Sequence, residues 1–583
     1  MQPQITVLDA GGQYCHLIAR KVRDLGVYAD VRPSDTPASE LAGAKGIIIS
    51  GGPSSVYEAG SPHVDPEVLD QAPAVLGICY GQQLMAHILG GHVRKGERGE
   101  YGFARLDINR PGLLFRNLDT GQQVWMNHRD VVDTVPPGFE VLGSTSTCEI
   151  AAMGNPARKL YAVQFHPEVA HTPRGKDILA NFLFEVCGCT RDWNAMGQIA
   201  ALEEQIRGAA AGRNVFFFVS GGVDSTVAYT LCLRALGPDR VYGTYVDSGL
   251  MREGETAFVE GLFHSLGATH FRAENAASEF LSALAGVCDP EQKRHLIGEQ
   301  FVRVQERILQ EGHFLDQHWI LGQGTIYPDT IESGGTARAD VIKTHHNRVA
   351  GIQRLIESGR IIEPLTQFYK DEVRRIGREL GISGETLARH PFPGPGLAIR
   401  CLCSDQSAAV EPSPDGWILP VRSVGVQGDS RSYRSVIALD SFPQRAELAA
   451  ELVNRLFAVN RVVVNVASHI PLSGVCSFPS TLTPERLARL RRADALVRAA
   501  TRESGFDAHI WQMPVVLIPI GSPGRPDSVV LRPIDSVDGM TAEAVIMPPD
   551  LLDRIARNLL ALDGICAVFY DITNKPPGTI EWE

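Results

Sequence analysis

Short apolar runs, each leading into a glycine-rich turn and then a helical spacing of apolar positions, recur along the first two thirds of the chain. ITVLDAGG from Ile5 precedes YCHLIARKVRDLG, KGIIISGGP follows, and AVLGICYG runs into QQLMAHILGG. Strand, turn and helix repeated in this way predict a doubly wound α/β layer over about the first 190 residues. A helix-like stretch from Ala195 to Ala211 leads into a second α/β pattern, with NVFFFVSGG, the helix STVAYTLCLRALG and the strand RVYGTYVDSG. That pattern ends near HPFPGPGLAIR, His390 to Arg400, which holds too many helix and strand breakers for a regular element. Ser404 to Gly416 reads as a flexible linker. Beyond it, WILPV at Trp417 recurs as WQMPV at Trp511, and SVIALDS at Ser435 recurs loosely as SVVLRPIDS at Ser528. The recurrence predicts an internal duplication, against the competing reading of two valine-rich antiparallel strands that match by chance. The expected segments are 1–192, 193–404, 405–506 and 507–583.

Composition changes this picture little. The 583 residues exceed what one hydrophobic core serves, and 44% apolar with 21% charged residues is ordinary for a soluble globular chain. The net charge of −12 supplies no global attraction to nucleic acid or to an anionic membrane. A phosphate ligand must then be held locally, by backbone amides and a few cations. No apolar stretch reaches the ~18 residues of a membrane span, and the first residues do not read as a signal peptide. The Cys187/Cys189 and Cys401/Cys403 pairs lack ligand-spaced partners for a metal, so the eleven cysteines read as reduced thiols of a cytoplasmic enzyme.

Two places carry chemistry. Gly77-Ile-Cys79-Tyr-Gly81 sits between the apolar run AVL and a helix, with glycines on both sides that permit a sharp strand-to-helix turn around an exposed Cys79. The helix start favours a thiolate. A free cysteine is also a common small core residue, so the turn alone decides nothing. His166 and Glu168, in Phe-His-Pro-Glu, are two residues apart and project on one face of an extended segment, where a carboxylate can hold the imidazole that takes the cysteine proton. Ser50-Gly-Gly52-Pro offers backbone N–H groups to an oxyanion, with the amide of Tyr80 as second donor. Together these motifs, in this order over about residues 4–190, resemble a class I glutamine amidotransferase. The resemblance implies Cys79 as nucleophile, His166 as base and Glu168 as orienter. It also implies Gln83, His128 and Asp130 in the glutamine pocket, although the family's Ser-His-Gly-Asp reads Asn-His-Arg-Asp here.

The second place is Ser220-Gly221-Gly222-Val223-Asp224-Ser225-Thr226, between the strand VFFFV and a helix. Glycines and hydroxyls at a helix N-terminus form an anion nest, and no Gly-x-x-x-x-Gly-Lys-Ser/Thr string occurs. All six positions of Ser-Gly-Gly-Val-Asp-Ser match the PP-loop of ATP pyrophosphatases, an adenine-nucleotide α-hydrolase-like fold. The resemblance implies cleavage at the α-phosphorus of ATP with Mg²⁺, Asp224 being the nearest carboxylate for the metal and Lys370 a further cation for the phosphates. Four later strings resemble the GMP synthetases: VDSGLMR from Val246, QGTIYPDTIES from Gln323, KTHHN from Lys343 and PFPGPG from Pro391. So does KPPGTIEWE from Lys575. The resemblance spans nearly the whole chain. It implies amination of XMP with ATP and glutamine, with Arg294, Asp429, Gln512, Lys575, Thr579 and Glu581 at the XMP site and no organic cofactor. Shorter members carry one copy of the α+β C-terminal domain, and the apparent second copy here predicts a monomer where those dimerise. A glutamine-dependent NAD synthetase normally carries a nitrilase-type amidase in place of the elbow cysteine. An inactive scaffold would not need Cys79, His166, Glu168 and the PP-loop.

Overall fold

The computed structural model describes residues 2–583 except 13, 170, 195, 328, 330–348, 428–429, 444–447, 457 and 537–541. The chain divides into two compact units, Met1–Gln198 and Ile199–Glu583. Among the described residues no helix is long and apolar enough to cross a membrane.

The first unit is built on one nine-stranded sheet. Its strands are β1 (Ile5–Asp9), β2 (Ala29–Pro33), β3 (Gly46–Ile49), β4 (Val75–Ile78), β5 (His92–Ile108), β6 (Gly121–Thr134), β7 (Glu140–Ser144), β8 (Ala152–Asn155) and β9 (Leu160–Val163). Their spatial order is β2-β1-β3-β4-β9-β8-β7-β5-β6. The first five of these lie parallel to one another, and the remaining pairings are antiparallel. Both faces of its inner strands are covered, which is why β3, β4 and β9 are apolar at consecutive positions, whereas the edge strand β2 carries Asp30 and Arg32. Ile48 enters one core with Ile5, Val7, Leu76 and Ile78, while Ile47 and Ile49 enter another with Leu8 and Val75. The carboxyl ends of β1, β3, β4 and β9 therefore meet along one edge, where an open α/β sheet binds its ligand.

The second unit holds a parallel sheet of β10 (Asn214–Val219), β11 (Val241–Asp247), β12 (His270–Asn275), β13 (Trp319–Gly322) and β14 (Ile361–Ile362), in the order β12-β11-β10-β13-β14. The order reverses at β10, so the loop after β10 lies at the topological switch point. A further sheet follows: β15 (Glu411–Ser413), β16 (Gly416–Gln427), β17 (Ser430–Leu439), β18 (Val459–Ser468), β19 (Val515–Ile518), β20 (Asp527–Leu531) and β21 (Ile565–Asp571), ordered β15-β16-β17-β18-β21-β20-β19. Part of the expected linker at 404–416 is thus strand β15.

The six main strands of that sheet read alike from either end. β16 is antiparallel to β17 and β17 parallel to β18, just as β19 is antiparallel to β20 and β20 parallel to β21. The two halves meet where β18 runs antiparallel to β21. A helix, Leu448–Arg455 or Pro549–Leu560, precedes the last strand of each half. One face of the sheet shares a continuous core with the α/β part of the unit, in which Phe216, Ile297 and Leu397 join Ile437, Val462, Val529 and Val568. The other face packs Leu419, Val436, Val463, Val516, Val530 and Phe569 with Trp582.

Candidate active site

Cys79 ends β4 and caps helix α1 (Tyr80–Ile88) at φ 53° and ψ −106°, a backbone conformation uncommon for a side chain other than glycine's. The turn is tight enough that a Cβ on Gly81 would stand 2.4 Å from the Ile49 carbonyl oxygen. Tyr80 opens the helix, so its N–H has no partner one turn back. Ser50, at the end of β3, accepts the Ala10 N–H on its hydroxyl at 2.9 Å, which ties the Ser50–Gly52 loop to the end of β1. A Cβ placed on Gly51 would be 3.2 Å from His166 Cε1 and 3.4 Å from Cys79 Cβ, so loop, base and nucleophile crowd one point.

His166 and Glu168 follow β9. His166 Nδ1 lies 2.7 Å from a Glu168 oxygen, and both side chains are buried. Among the described residues Nε2 of the same ring makes no other hydrogen bond, and the sulfur of Cys79 is its neighbour. Burial works against a charged ring here, but the Glu168 carboxylate and the Cys79 sulfur outweigh it and raise His166 to about 10. The imidazolium is therefore the stable form at neutral pH, placed to stabilise negative charge on sulfur. The backbone of His166 is fixed on both sides: the Thr172 hydroxyl donates to its carbonyl at 2.7 Å, and its N–H donates to the Trp125 carbonyl at 3.0 Å.

The expected glutamine-pocket residues lie around this centre but turn their polar atoms elsewhere. Gln83 donates to the Asp130 carbonyl at 2.8 Å and to Gln164 Oε1 at 3.3 Å. His128 donates from Nδ1 to the same carbonyl at 3.1 Å and faces Glu100 with Nε2 at 3.1 Å. Glu100, His128 and Cys148 bring ligand atoms within 4.8 Å of one another, but this cluster closes on itself through those hydrogen bonds. Tyr14 was not singled out from sequence. Its ring meets His166 edge-on at 5.2 Å between centroids. Its position just past β1, on the edge shared by β3, β4 and β9, is the signal that identifies it.

In the second unit the loop after β10 runs into helix α2 (Val223–Leu236). Gly221 takes a left-handed φ of 72°. The Ser220 hydroxyl accepts the Gly222 N–H at 3.2 Å and lies 3.2 Å from the Ser225 hydroxyl. Ser225 and Thr226 both donate to the Gly222 carbonyl, at 3.1 and 2.8 Å. Val223 opens the helix, and its neighbour Asp224 receives the Lys370 ammonium at 3.1 Å on one oxygen. Among the described residues the other oxygen is buried without a hydrogen-bond partner.

The remaining expected residues gather on the segment 573–583. Glu581 takes a two-pronged contact from the fully buried Arg400, at 2.9 and 2.6 Å. Gln512 donates to the Pro391 carbonyl at 3.0 Å and reaches Glu581 at 3.4 Å. Thr579 receives Arg461 on both its hydroxyl and its carbonyl at 2.9 Å. Arg294 donates to the Glu583 carbonyl. The backbone of Lys575 pairs with Ala542 in both directions, at 2.8 and 3.1 Å. Asp429 and the string from Lys343 lie outside the described residues. Arg400, Arg461 and Arg532 escaped the sequence reading because isolated arginines ordinarily read as solvated.

The first unit thus presents a cysteine–histidine–carboxylate centre on an α/β sheet, and residues 6–186 match the model of the class I glutamine amidotransferases. Residues 499–582 match that of the GMP synthase C-terminal domain. Full-length similarity extends both matches. A probable glutamine-hydrolysing GMP synthase of Leptospira interrogans is 40% identical over 610 aligned positions, covering 100% of this chain and 99% of that one. The GMP synthases of Symbiobacterium thermophilum and Caldicellulosiruptor saccharolyticus are 41% and 39% identical, with 99% or more of each chain covered. The chain belongs to the glutamine-hydrolysing GMP synthase family, carbon–nitrogen ligases with glutamine as nitrogen donor.

Proposed function

We propose that the chain makes GMP in two half-reactions at two sites. At the first, the Cys79 thiolate attacks the glutamine amide, His166 passes a proton to the departing ammonia, and water releases glutamate. The backbone amides of Gly52 and Tyr80 meet the oxyanion, and Glu168 holds the ring. The buried His166–Glu168 contact beside Cys79 is the observation that carries this reading. Gln83, His128 and Asp130 shape the glutamine pocket from behind, by fixing the strand that faces Cys79.

At the second site, residues 220–226 hold the pyrophosphate end of ATP as a PP-loop, aided by Lys370. The location of the loop at the sheet's reversal supports this assignment. The 2-oxo oxygen of XMP attacks the α-phosphorus, pyrophosphate leaves, and ammonia displaces AMP to give GMP. Asp224 suits a hard cation, because one of its oxygens is buried with no hydrogen-bond partner among the described residues. Mg²⁺ held there would neutralise charge on the departing pyrophosphate. Arg294, Gln512, Lys575, Thr579 and Glu581, with Asp429, form the XMP side.

The two halves of the C-terminal sheet, about 405–506 and 507–583, are copies of one α+β domain. Their common connectivity and the recurring WILPV and WQMPV strings support this. The surface through which such domains pair is then occupied within the chain, and the protein is a monomer. Light scattering should give a mass near 63 kDa, and a stable mass near twice that would refute it.

The reaction itself is tested with ATP, Mg²⁺, glutamine and XMP, following loss of XMP absorbance and formation of GMP. Cys79→Ala should abolish turnover with glutamine and retain it with ammonium salt. Loss of both activities in a folded variant would overturn the two-site reading.

A further inference from the structure

Segment 573–583 has little regular structure of its own, so its order depends on what holds it. Arg461 and Arg532 hold its middle. Arg461 donates to Thr579 and to the Glu581 carbonyl at 2.7 Å, and Arg532 donates to the Thr579 and Ile580 carbonyls at 2.8 and 3.1 Å. Its far end is held differently, by two adjacent residues of helix α3 (Pro290–Glu311). Lys293 is fully buried and pairs with the Glu583 carboxylate, itself only 3% exposed. Its ammonium also donates to the Ala398 and Cys401 carbonyls, at 3.3 and 3.2 Å. Arg294 grips the same residue through its carbonyl.

A buried ammonium is costly unless its hydrogens are met by acceptors, and among the described residues the Glu583 carboxylate supplies the only full charge that pairs with it. Neither Lys293 nor Glu583 has the exposed surface to touch a nucleotide. The carbonyls that Lys293 binds flank Arg400, the residue that clamps Glu581. One cation thereby joins α3, the turn after the PFPGPG string and the end of the segment.

We propose that the Lys293–Glu583 pair is a latch that holds the segment where Lys575, Thr579 and Glu581 meet the purine nucleotide, and so sets the affinity for XMP without contacting it. Lys293 and Glu583 are positioning residues in this account. The proposal rests on the reading of that segment as part of the XMP site.

The test uses the full chain with Lys293→Met, Glu583→Gln, the double variant Lys293→Met/Glu583→Met and the conservative Lys293→Arg. Each single loss of a partner should raise KM for XMP on the order of tenfold in the ammonia-driven reaction, with KM for ATP little changed. The double variant removes both charges and should fall nearer the wild type than the sum of the single effects. Hydrogen exchange within 573–583 should rise in the single variants, and glutamine hydrolysis serves as the control for folding. Wild-type KM for XMP in folded single variants, or strictly additive effects in the double variant, overturns the latch. If the wild-type protein itself fails to aminate XMP, the reading of the site falls. The exchange data then still decide whether the pair holds the segment, and unchanged protection overturns the latch.

Discussion

His166 Nδ1 and Glu168 Oε1 are 2.7 Å apart, buried together three and five residues beyond the end of β9. The pair defines what the first site can do. A neutral imidazole would have to acquire a proton before it could protonate the departing ammonia, whereas a ring raised to about 10 carries that proton at rest.

Glu168→Gln should expose this dependence. Without the carboxylate the ring titrates lower, Cys79 loses its cationic neighbour, and its alkylation by iodoacetamide at pH 6–7 should slow by roughly tenfold or more. The linkage has a definite sign. A group raised from 6.5 to about 10 on folding contributes stability that is complete below pH 6.5 and is lost as pH rises through 10. The melting-temperature gap between wild type and variant should therefore be widest in mild acid and narrow toward pH 10. A gap that widens with pH would contradict the assignment.

Gly81→Ala tests the elbow. The new methyl meets the Ile49 carbonyl at 2.4 Å, backbone against backbone, so one strand end must move. A loss of about 1–3 kcal/mol from the stability of the first unit is expected, with a fall in glutamine hydrolysis larger than the fraction unfolded explains. Denaturant melts followed beside the glutaminase assay would measure both. Unchanged activity and stability would show that the turn accommodates a methyl group.

Asp224→Asn separates the proposed phosphate loop from the glutaminase. The amide keeps the size of the side chain but loses the charge that pairs with Lys370 and suits a divalent cation. XMP-dependent release of pyrophosphate should fall by at least ~10²-fold with either nitrogen source. Titrating Mg²⁺ shows whether the cation requirement rises in step. Full turnover with ammonia would make the carboxylate merely structural.

Asp571→Asn addresses the C-terminal sheet. Arg461 and Arg532, both fully buried, share one oxygen of Asp571 at 2.9 and 2.8 Å. Burial and repulsion by Arg532 push Arg461 down to about 9 even with that carboxylate present. Removing the charge should cost about 3–5 kcal/mol, read as a lower denaturation midpoint. Burial alone would raise Asp571, but the two guanidiniums hold it below the ordinary carboxylate value. Its contribution is thus present above pH ~4 and lost as pH falls further. A variant with wild-type stability would mean that the neighbouring carbonyls satisfy both arginines.

What the sequence determined by itself is the chemistry that depends on local spacing. Cys79 between its glycines, His166 and Glu168 two apart, and the run Ser220–Thr226 each need only a strand end and a helix start, which neighbouring residues specify. The order of apolar runs likewise determined the parallel part of the first sheet and the parallel sheet of the second unit, because a strand covered on both faces is apolar at consecutive positions. Tertiary structure alone decided which way the polar partners turn. Gln83 and His128 stand within the first site's neighbourhood yet direct their nitrogens to Asp130 and Glu100, the first because α1 packs beside β6 and the second because the register of β5 on β6 sets Glu100 opposite His128. Lys293 with Glu583, and Arg461 with Asp571, pair across 290 and 110 positions of sequence. A charged residue within an apolar run marks a place in a core without naming its counter-charge. The counter-charge is set by strand order and register among distant segments, quantities that exist only once the sheets have assembled.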